Sequence, residues 1–280
     1  MTRMKKNTIF MCLSLGLAAM LTSCSFDNKF EAEELGETGQ TGKLTLDVAS
    51  GVEFATGTRA VDESTYQNTD NYTVNITDDK GNSKFSGTFA TLKTRLPLEL
   101  DLGSYNISAE YGTEYPASRD AFKVVGHDIF SISAGATVTS TVNCTPTAGK
   151  VMVEFDPSMA KYCDLYDVDF SGTAALGNNV AHWAKDDTAP YYLALSEAGE
   201  TVNYTIHLTA KADYAGMDGN EKVTNATASG SFSLQRNKAK KLTVKPNYTE
   251  MTEGGLSITI TIDERTNDKP ITIEVPVTWI

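Results

Sequence analysis

Three histidines, His127, His182 and His207, limit the acid–base chemistry that this chain could perform. None of them belongs to a His-Glu-x-x-His zinc helix, and no serine lies in a Gly-x-Ser-x-Gly nucleophile turn. The neighbours His127 and Asp128 could act as a dyad, but the segment Val124-Val-Gly-His-Asp-Ile-Phe is typical of a turn beside a strand. Triads can also be assembled from distant positions, so motifs alone do not decide the question. We predict a protein without catalytic residues, which is therefore not an enzyme.

Carboxylates that are close together in the sequence could bind a metal ion. Asp164, Asp167 and Asp169 form one such cluster. A second group could wrap calcium with oxygen ligands from a loop: Asp213, Asp218, Asn220 and Glu221. Neither group has the spacing of an EF-hand. Because acidic side chains of a strongly negative chain are ordinarily solvated, we predict no metal ligands and no other cofactor.

The aromatic residues Trp183, Tyr191 and Tyr192 flank a polar loop and are candidate glycan contacts. An exposed aromatic face beside carboxylates is suited to stacking on a sugar ring. The alternative is that Trp183 and one of the tyrosines belong to the core. In the same loop, Asp187-Thr-Ala resembles a short bacterial acceptor motif for O-glycosylation, which makes Thr188 a candidate modification site.

The N-terminus has the parts of an export signal. A short basic segment precedes a largely apolar run from Ile9 to Leu21, and small residues then lead to Cys24. The run is shorter than the ~20 apolar residues of a spanning helix. Leu21-Thr-Ser-Cys resembles the bacterial lipobox, in which the signal is cut before the cysteine and the cysteine is acylated. We expect residues 1–23 to be removed and Cys24 to anchor the chain in a membrane, with an ordinary secretory signal as the alternative.

The segment 24–42 is expected to be a flexible acidic tether. It carries five carboxylates against one lysine and has no apolar periodicity that could drive folding. Such an acidic leader resembles the signal that sends lipoproteins of the Bacteroidota to the outer face of the outer membrane, with a simple solvated spacer as the alternative. Removing the export signal, residues 1–23, with its three basic residues changes the formal charge from -12 to -15, which argues against nucleic acid as a partner.

The cysteines Cys144 and Cys163 would lie in an oxidising compartment after export. A disulfide between them would stabilise the fold by ~3 kcal/mol in the chain-entropy model. The alternative is a pair of buried free thiols that act as small apolar residues. The sequence leaves both interpretations open, since a bridge requires Cα atoms within ~7 Å.

Strand patterns of period two recur along the chain and are rich in Thr, Val, Ile and Tyr. The same order of elements occurs twice, beginning with Gly42-Lys-Leu-Thr-Leu and again with Gly149-Lys-Val-Met-Val. We predict an all-β chain of two tandem antiparallel β-sandwiches of the Ig-like kind, at residues 43–147 and 148–280.

The lipobox, the acidic leader and several strand motifs together resemble a family of Bacteroidales lipoproteins known as a domain of unknown function. The strand motifs are Gly42-Lys-Leu-Thr-Leu, Thr58-Arg-Ala-Val-Asp, Asp101-Leu-Gly-Ser-Tyr, Ala109-Glu-Tyr-Gly and Ile258-Thr-Ile-Thr-Ile-Asp. That family is similar to fimbrillins, which have two transthyretin-like sandwiches. The resemblance covers nearly the whole mature chain and implies a fold and a location rather than an activity.

The resemblance to fimbrillins also implies a way of assembly. In those pilins, cleavage after an arginine frees a groove that accepts a strand from the next subunit. Arg59 follows the first predicted strand in a Gly/Thr-rich segment and is the candidate processing site, with an ordinary loop arginine as the alternative. The C-terminal segment Ile271 to Trp279 is expected to fold into its own domain rather than to be donated.

These features predict a lipid-anchored protein on the outer face of the outer membrane that interacts with other surface proteins or with glycans. The leading interpretation is a fimbrillin-like adhesion module, and the alternative is a glycan-binding lipoprotein of polysaccharide uptake.

Mass spectrometry of the protein from its native outer membrane should find a mature chain that begins at acylated Cys24. The Cys24→Ala variant should lack the acyl chains and leave the membrane fraction. An unmodified mature N-terminus would contradict the anchor. A chain that continues unbroken through Arg59 would contradict processing there, whereas a major species that begins at Ala60 would support it.

Overall fold

The computed structural model of the protein describes residues 40–54, 61–248, 256–263 and 271–280. The predicted lipidation site Cys24 and the predicted processing site Arg59 lie outside these residues. The described chain consists mainly of β-strands, which confirms the all-β prediction. Among the described residues, no helix has both the length and the apolar character that crossing a membrane requires.

The first half of the described chain contains eight strands. They are β1 (Thr41–Ser50), β2 (Thr73–Asp78), β3 (Ser83–Thr88), β4 (Leu98–Asp101), β5 (Gly103–Gly112), β6 (Ala117–Ser118), β7 (Lys123–Ile132) and β8 (Thr137–Pro146). Seven of them form one sheet in the order β3-β2-β5-β7-β8-β1-β4. The β7–β8 pairing covers only Val124 with Pro146 and Val125 with Thr145. The sheet therefore divides there into two parts, which share one hydrophobic core.

The second half contains twelve strands. They are β9 (Ala148–Phe155), β10 (Cys163–Ser171), β11 (Ala181–Ala184), β12 (Tyr191–Ala194), β13 (Glu200–Ala210), β14 (Gly216–Asp218), β15 (Glu221–Val223), β16 (Asn225–Leu234), β17 (Ala239–Tyr248), β18 (Leu256–Asp263), β19 (Ile271–Pro276) and β20 (Thr278–Trp279). A five-stranded sheet (β11-β10-β13-β16-β20) packs on a six-stranded sheet (β19-β18-β17-β9-β12-β6) around a second core. The strands β14 and β15 form a separate hairpin.

Helices are short and join strands. They are α1 (Phe89–Lys93), α2 (Met159–Tyr162) and three 3₁₀ helices at Glu63–Gln67, Thr69–Asn71 and Ala212–Tyr214. The helix α1 illustrates their local origin, because the Thr88 side chain accepts a hydrogen bond from the backbone N–H of Thr91 as an N-cap. Phe89 and Leu92 of this helix are buried and attach it to the first core.

The strand pairings repeat in the two halves as the sequence repeat does. β1 pairs with β4 and β8, and β9 pairs in the same way with β12 and β17. β5 lies between β2 and β7, and β13 lies between β10 and β16. Most pairs are antiparallel, as predicted for these sandwiches, but β1–β8 and β9–β17 are parallel pairs. The first and last strands of each repeat lie side by side and run in the same direction, which closes each unit on itself.

The burial of individual strands reflects their neighbours. In β1, Leu44, Leu46 and Val48 are buried while the residues between them face solvent, as expected for a strand with one covered face. In β9, the first six residues are all buried. Val151 and Val153 face the second core, and Lys150 on the opposite face meets the first half of the chain. β9 is therefore covered on both faces.

A buried polar cluster joins the two halves. The Lys150 ammonium donates a hydrogen bond to Oε1 of Glu63 at 2.8 Å, and the Tyr192 hydroxyl donates to the same oxygen at 2.6 Å. The Lys150 side chain is fully buried and that of Glu63 is 8% exposed. Beside them, the Tyr192 ring lies 4.7 Å from that of Phe122 and 5.4 Å from that of Phe54. A buried ion pair and packed aromatic rings therefore join the two halves at the same place, which we call the junction.

Replacing Lys150 with methionine should lower the free energy of unfolding by about 3–5 kcal/mol, because the Glu63 carboxylate would remain buried without its partner. Guanidinium denaturation at neutral pH measures the change. The control is Lys123→Met, which removes the partner of the half-exposed Glu110 carboxylate and should cost less than about 1 kcal/mol. If both variants lost the same free energy of unfolding, the buried pair would contribute no more to stability than an exposed one, which would contradict the prediction.

Candidate functional site

A cleft of about 370 Å³ opens between the two sheets of the second half. We call it the aromatic cleft. Its lining comes from the end of β9 and the turn after it, from β10 and β11, from the loop after β11 and from β17. The lining residues are Met152, Val153, Glu154, Phe155, Asp156, Pro157, Tyr166, Trp183, Lys185, Asp187, Thr188 and Lys241. The volume lies in the range of small-ligand sites.

The aromatic rings accessible in this cleft differ from those that the sequence predicted. Phe155 and Tyr166 are half-buried and pack edge to face, with ring centroids 4.9 Å apart. Trp183 lines the cleft but is only 1% exposed, and Tyr192 is equally buried at the junction of the halves. The predicted glycan contacts Trp183 and Tyr192 are therefore core residues, as the alternative interpretation had it. The Trp183 indole Nε1 has no hydrogen-bond partner among the described residues.

Arg119 is an unpredicted member of this region and covers the third predicted aromatic residue. Its guanidinium carbon lies 3.9 Å from the ring centroid of Tyr191 and 4.8 Å from that of Trp183. Such cation–π contacts are worth ~1 kcal/mol or more when partly desolvated. The half-buried Tyr191 is thus stacked on a protein cation rather than free to stack on a sugar.

The same guanidinium holds the loop between β11 and β12. It donates to the carbonyl oxygens of Ala189 and His182, and it pairs with Oδ2 of Asp187 at 2.7 Å. Asp187 Oδ2 also accepts a hydrogen bond from the backbone N–H of Ala184 at 2.8 Å. Arg119 follows β6, whose two residues pair with β12, and this pairing brings it to the loop.

Thr188 lies next to this anchored aspartate and is exposed at the rim of the cleft. Its hydroxyl is therefore accessible, as an acceptor site requires. The O-glycosylation of Thr188 stays a prediction.

Charged groups of both signs surround the aromatic rings. Lys241 forms an ion pair with Glu154 across the cleft wall, and Lys185 is exposed at its rim. The Asp156 carboxylate accepts hydrogen bonds from the hydroxyl and the backbone N–H of Ser158, and these bonds lower its pKa. The cleft thus offers ionised acceptors, ammonium donors and apolar ring surface together, a combination suited to a ligand with many hydroxyl groups.

Cys144 and Cys163 are free thiols in the structure, so the disulfide interpretation was wrong. Cys144 belongs to the first core and Cys163 to the second. Burial raises the pKa of the Cys144 thiol to about 12 and that of Cys163 to about 11. Both remain protonated near neutral pH and pack as small apolar side chains.

The side chains of the candidate dyad, His127 and Asp128, lie on opposite faces of strand β7. His127 is exposed on β7, while Asp128 accepts a hydrogen bond from the hydroxyl of Ser140 on β8. Consecutive residues of a strand point to opposite faces, so the imidazole and the carboxylate do not meet. The other two histidines lie together on the five-stranded sheet.

Replacing Arg119 with alanine should speed hydrogen exchange of the loop amides from Ala184 to Ala189, because the loop would lose the guanidinium that donates to its carbonyl oxygens and pairs with Asp187. The free energy of unfolding should fall by about 2 kcal/mol. Arg95→Ala is the control, since Arg95 stacks on Phe85 in the first half. Unchanged exchange in this loop in the Arg119→Ala variant would contradict the anchoring role.

Solved structures of low sequence identity resemble the chain over most of its length. A candidate polysaccharide-binding protein (DUF1812) from Bacteroides thetaiotaomicron is 14% identical, with 85% of this chain and 98% of that chain covered and a TM-score of 0.41. The fimbrial anchor protein Mfa2 from Porphyromonas gingivalis is 10% identical, with 80% and 98% covered and a TM-score of 0.39. A fimbrial assembly protein from Parabacteroides distasonis is 12% identical, with 83% and 98% covered and a TM-score of 0.37. With TM-scores below 0.5, these likenesses support no conclusion about function.

No curated protein matches the chain significantly. The family comparison does match, over residues 40–277, which include nearly all of the described strands. The expectation of a domain-of-unknown-function family is thereby confirmed. The chain belongs to the family described as domain of unknown function (DUF4493).

Proposed function

We propose that this protein is a non-catalytic adhesion module of the cell surface, held on the outer face of the outer membrane by acylated Cys24, and that it binds its ligand in the aromatic cleft. The observation that carries the proposal is the lining of the cleft. Half-buried aromatic rings lie beside carboxylates and lysines in this lining. The loop after β11, which forms part of it, is held by the ion pair between Arg119 and Asp187.

Glycans are the ligand class that this lining suits. The rings of Phe155 and Tyr166 offer apolar surface for the C–H face of a sugar. Asp156, Glu154 and Lys241 supply hydrogen-bond acceptors and donors for its hydroxyl groups. The lining holds three carboxylates and two lysines, and the third carboxylate, Asp187, is paired with Arg119, so the cleft does not require a charged ligand. Binding of this kind would serve attachment to a glycan-coated surface or the capture of polysaccharide for uptake.

A second candidate is fimbrillin-like assembly by strand exchange, and the position of β1 favours it. β1 lies inside its sheet between β4 and β8, with Leu44, Leu46 and Val48 in the first core. Cleavage after Arg59 would leave β1 held by non-covalent contacts alone. Its departure would expose an apolar slot and two unpaired strand edges, which an added strand could fill.

A glycan array tests the leading proposal. We expect the mature protein to bind at least one glycan class, and Tyr166→Ala to weaken that binding about tenfold, which corresponds to about 1.4 kcal/mol. Lys185→Ala at the exposed rim should also weaken binding without disturbing the core. Tyr115→Ala is the matched control, because Tyr115 is a half-exposed tyrosine of the first half.

The proposal fails if the array detects no glycan, or if both cleft variants bind as the unmodified protein does. Circular dichroism of each variant separates loss of the ligand contact from loss of the fold. Oligomer ladders that depend on Arg59 would then favour strand exchange.

A further inference from the structure

Four side chains that can bind metals meet on the outer face of the five-stranded sheet. Asp167 and Asp169 lie on β10, His182 on β11 and His207 on β13. Asp169 is directly opposite His182, and Asp167 is directly opposite His207. The strand register therefore brings two carboxylates and two imidazoles together across three neighbouring strands.

The distances between their ligand atoms are short. Nδ1 of His182 lies 2.7 Å from Oδ1 of Asp169 and 4.0 Å from Oδ1 of Asp167. Nε2 of His207 lies 3.3 Å from Oδ2 of Asp169. One ligand atom each from Asp167, Asp169 and His207 can be chosen so that all three lie within 4.8 Å of one another. Asp169 is the centre of the group.

This spacing is close to that of ligands around one metal ion. Zinc–nitrogen and zinc–oxygen bonds of ~2.0–2.2 Å place tetrahedral ligands ~3.3 Å apart. The imidazoles are 54% and 43% exposed in their side chains, and the carboxylates are 30% and 25% exposed. His182 and His207 lie on the two strands that flank β10, so these half-exposed side chains must rotate to bring both imidazoles to one ion.

We propose that Asp167, Asp169, His182 and His207 together bind one divalent transition-metal ion of the zinc class. The set of two nitrogens and two oxygens suits such ions, whereas calcium and magnesium prefer oxygen ligands alone. Solvent can deliver the ion, because a groove of about 210 Å³ runs beside Asp167 and His207. The bound ion links β11, β10 and β13 and thereby ties the edge strand β11 to the sheet. The site is independent of the aromatic cleft.

The test is titration of the mature chain with zinc chloride by calorimetry. The protein titrated carries Cys24→Ser, because the anchor thiol would otherwise compete for zinc. It is prepared without a histidine tag for the same reason. We expect one equivalent of zinc to bind and calcium not to compete. His182→Gln and His207→Gln should each weaken binding at least about tenfold. His127→Gln is the matched control, as it changes the only other histidine of the chain, and it should bind as the parent does.

Two further measurements keep the outcome clear. Cobalt(II) should give the intense visible absorption of a tetrahedral site in the parent protein but not in His207→Gln. Zinc should raise the melting temperature of the parent and of His127→Gln but not that of His207→Gln, because only a ligand of the folded state stabilises it. Zinc binding that is unchanged in His182→Gln or in His207→Gln would overturn the proposal, as would an equal loss in His127→Gln.

Discussion

The ion pair between Lys150 and Glu63 is the constraint on which the arrangement of this protein depends. A buried charge is tolerated only with a partner at hydrogen-bonding distance. The folded chain must therefore bring Lys150 on β9 next to Glu63, which precedes β2. Tyr192 shares the same carboxylate oxygen, and its ring belongs to the first core although its strand belongs to the second half. The halves are therefore joined by specific chemistry and not only by apolar contact.

The second half carries both candidate binding surfaces, the aromatic cleft and the histidine–aspartate cluster. Both halves use the same pairing plan, but the second adds β18 and β19 at one edge and receives β6 at the other. Within it, β10 directs alternate residues to opposite sides. Tyr166 turns inward to the aromatic cleft, while Asp167 and Asp169 turn outward to the imidazoles. One strand thus serves two chemically different surfaces because its side chains alternate.

The alternating pattern of the sequence predicts most of the strands but few of the residues that form the candidate site. Alternating residues and the repeated Gly-Lys strand openings predict the strands and the duplication, because both depend on local sequence. They do not tell which aromatic residue reaches a cleft: Trp183 and Tyr166 both look like strand aromatics, and only packing buries the first. Arg119 was not foreseeable, since it reaches the loop through the pairing of β6 with β12. Cys24, Arg59 and the boundary at residues 147 and 148 stay predictions.

The parallel pairing of β1 with β8 has a mechanical consequence. β1 is the first strand of the described chain, and β8 leads from the opposite end of this parallel pair into β9 and the second half. For a protein held by its N-terminus while its second half grips a surface, tension pulls these two strands past each other along their length. Their hydrogen bonds then share the force together instead of breaking one after another. The β1–β8 pair is thus loaded in shear along its length rather than pulled apart one hydrogen bond at a time.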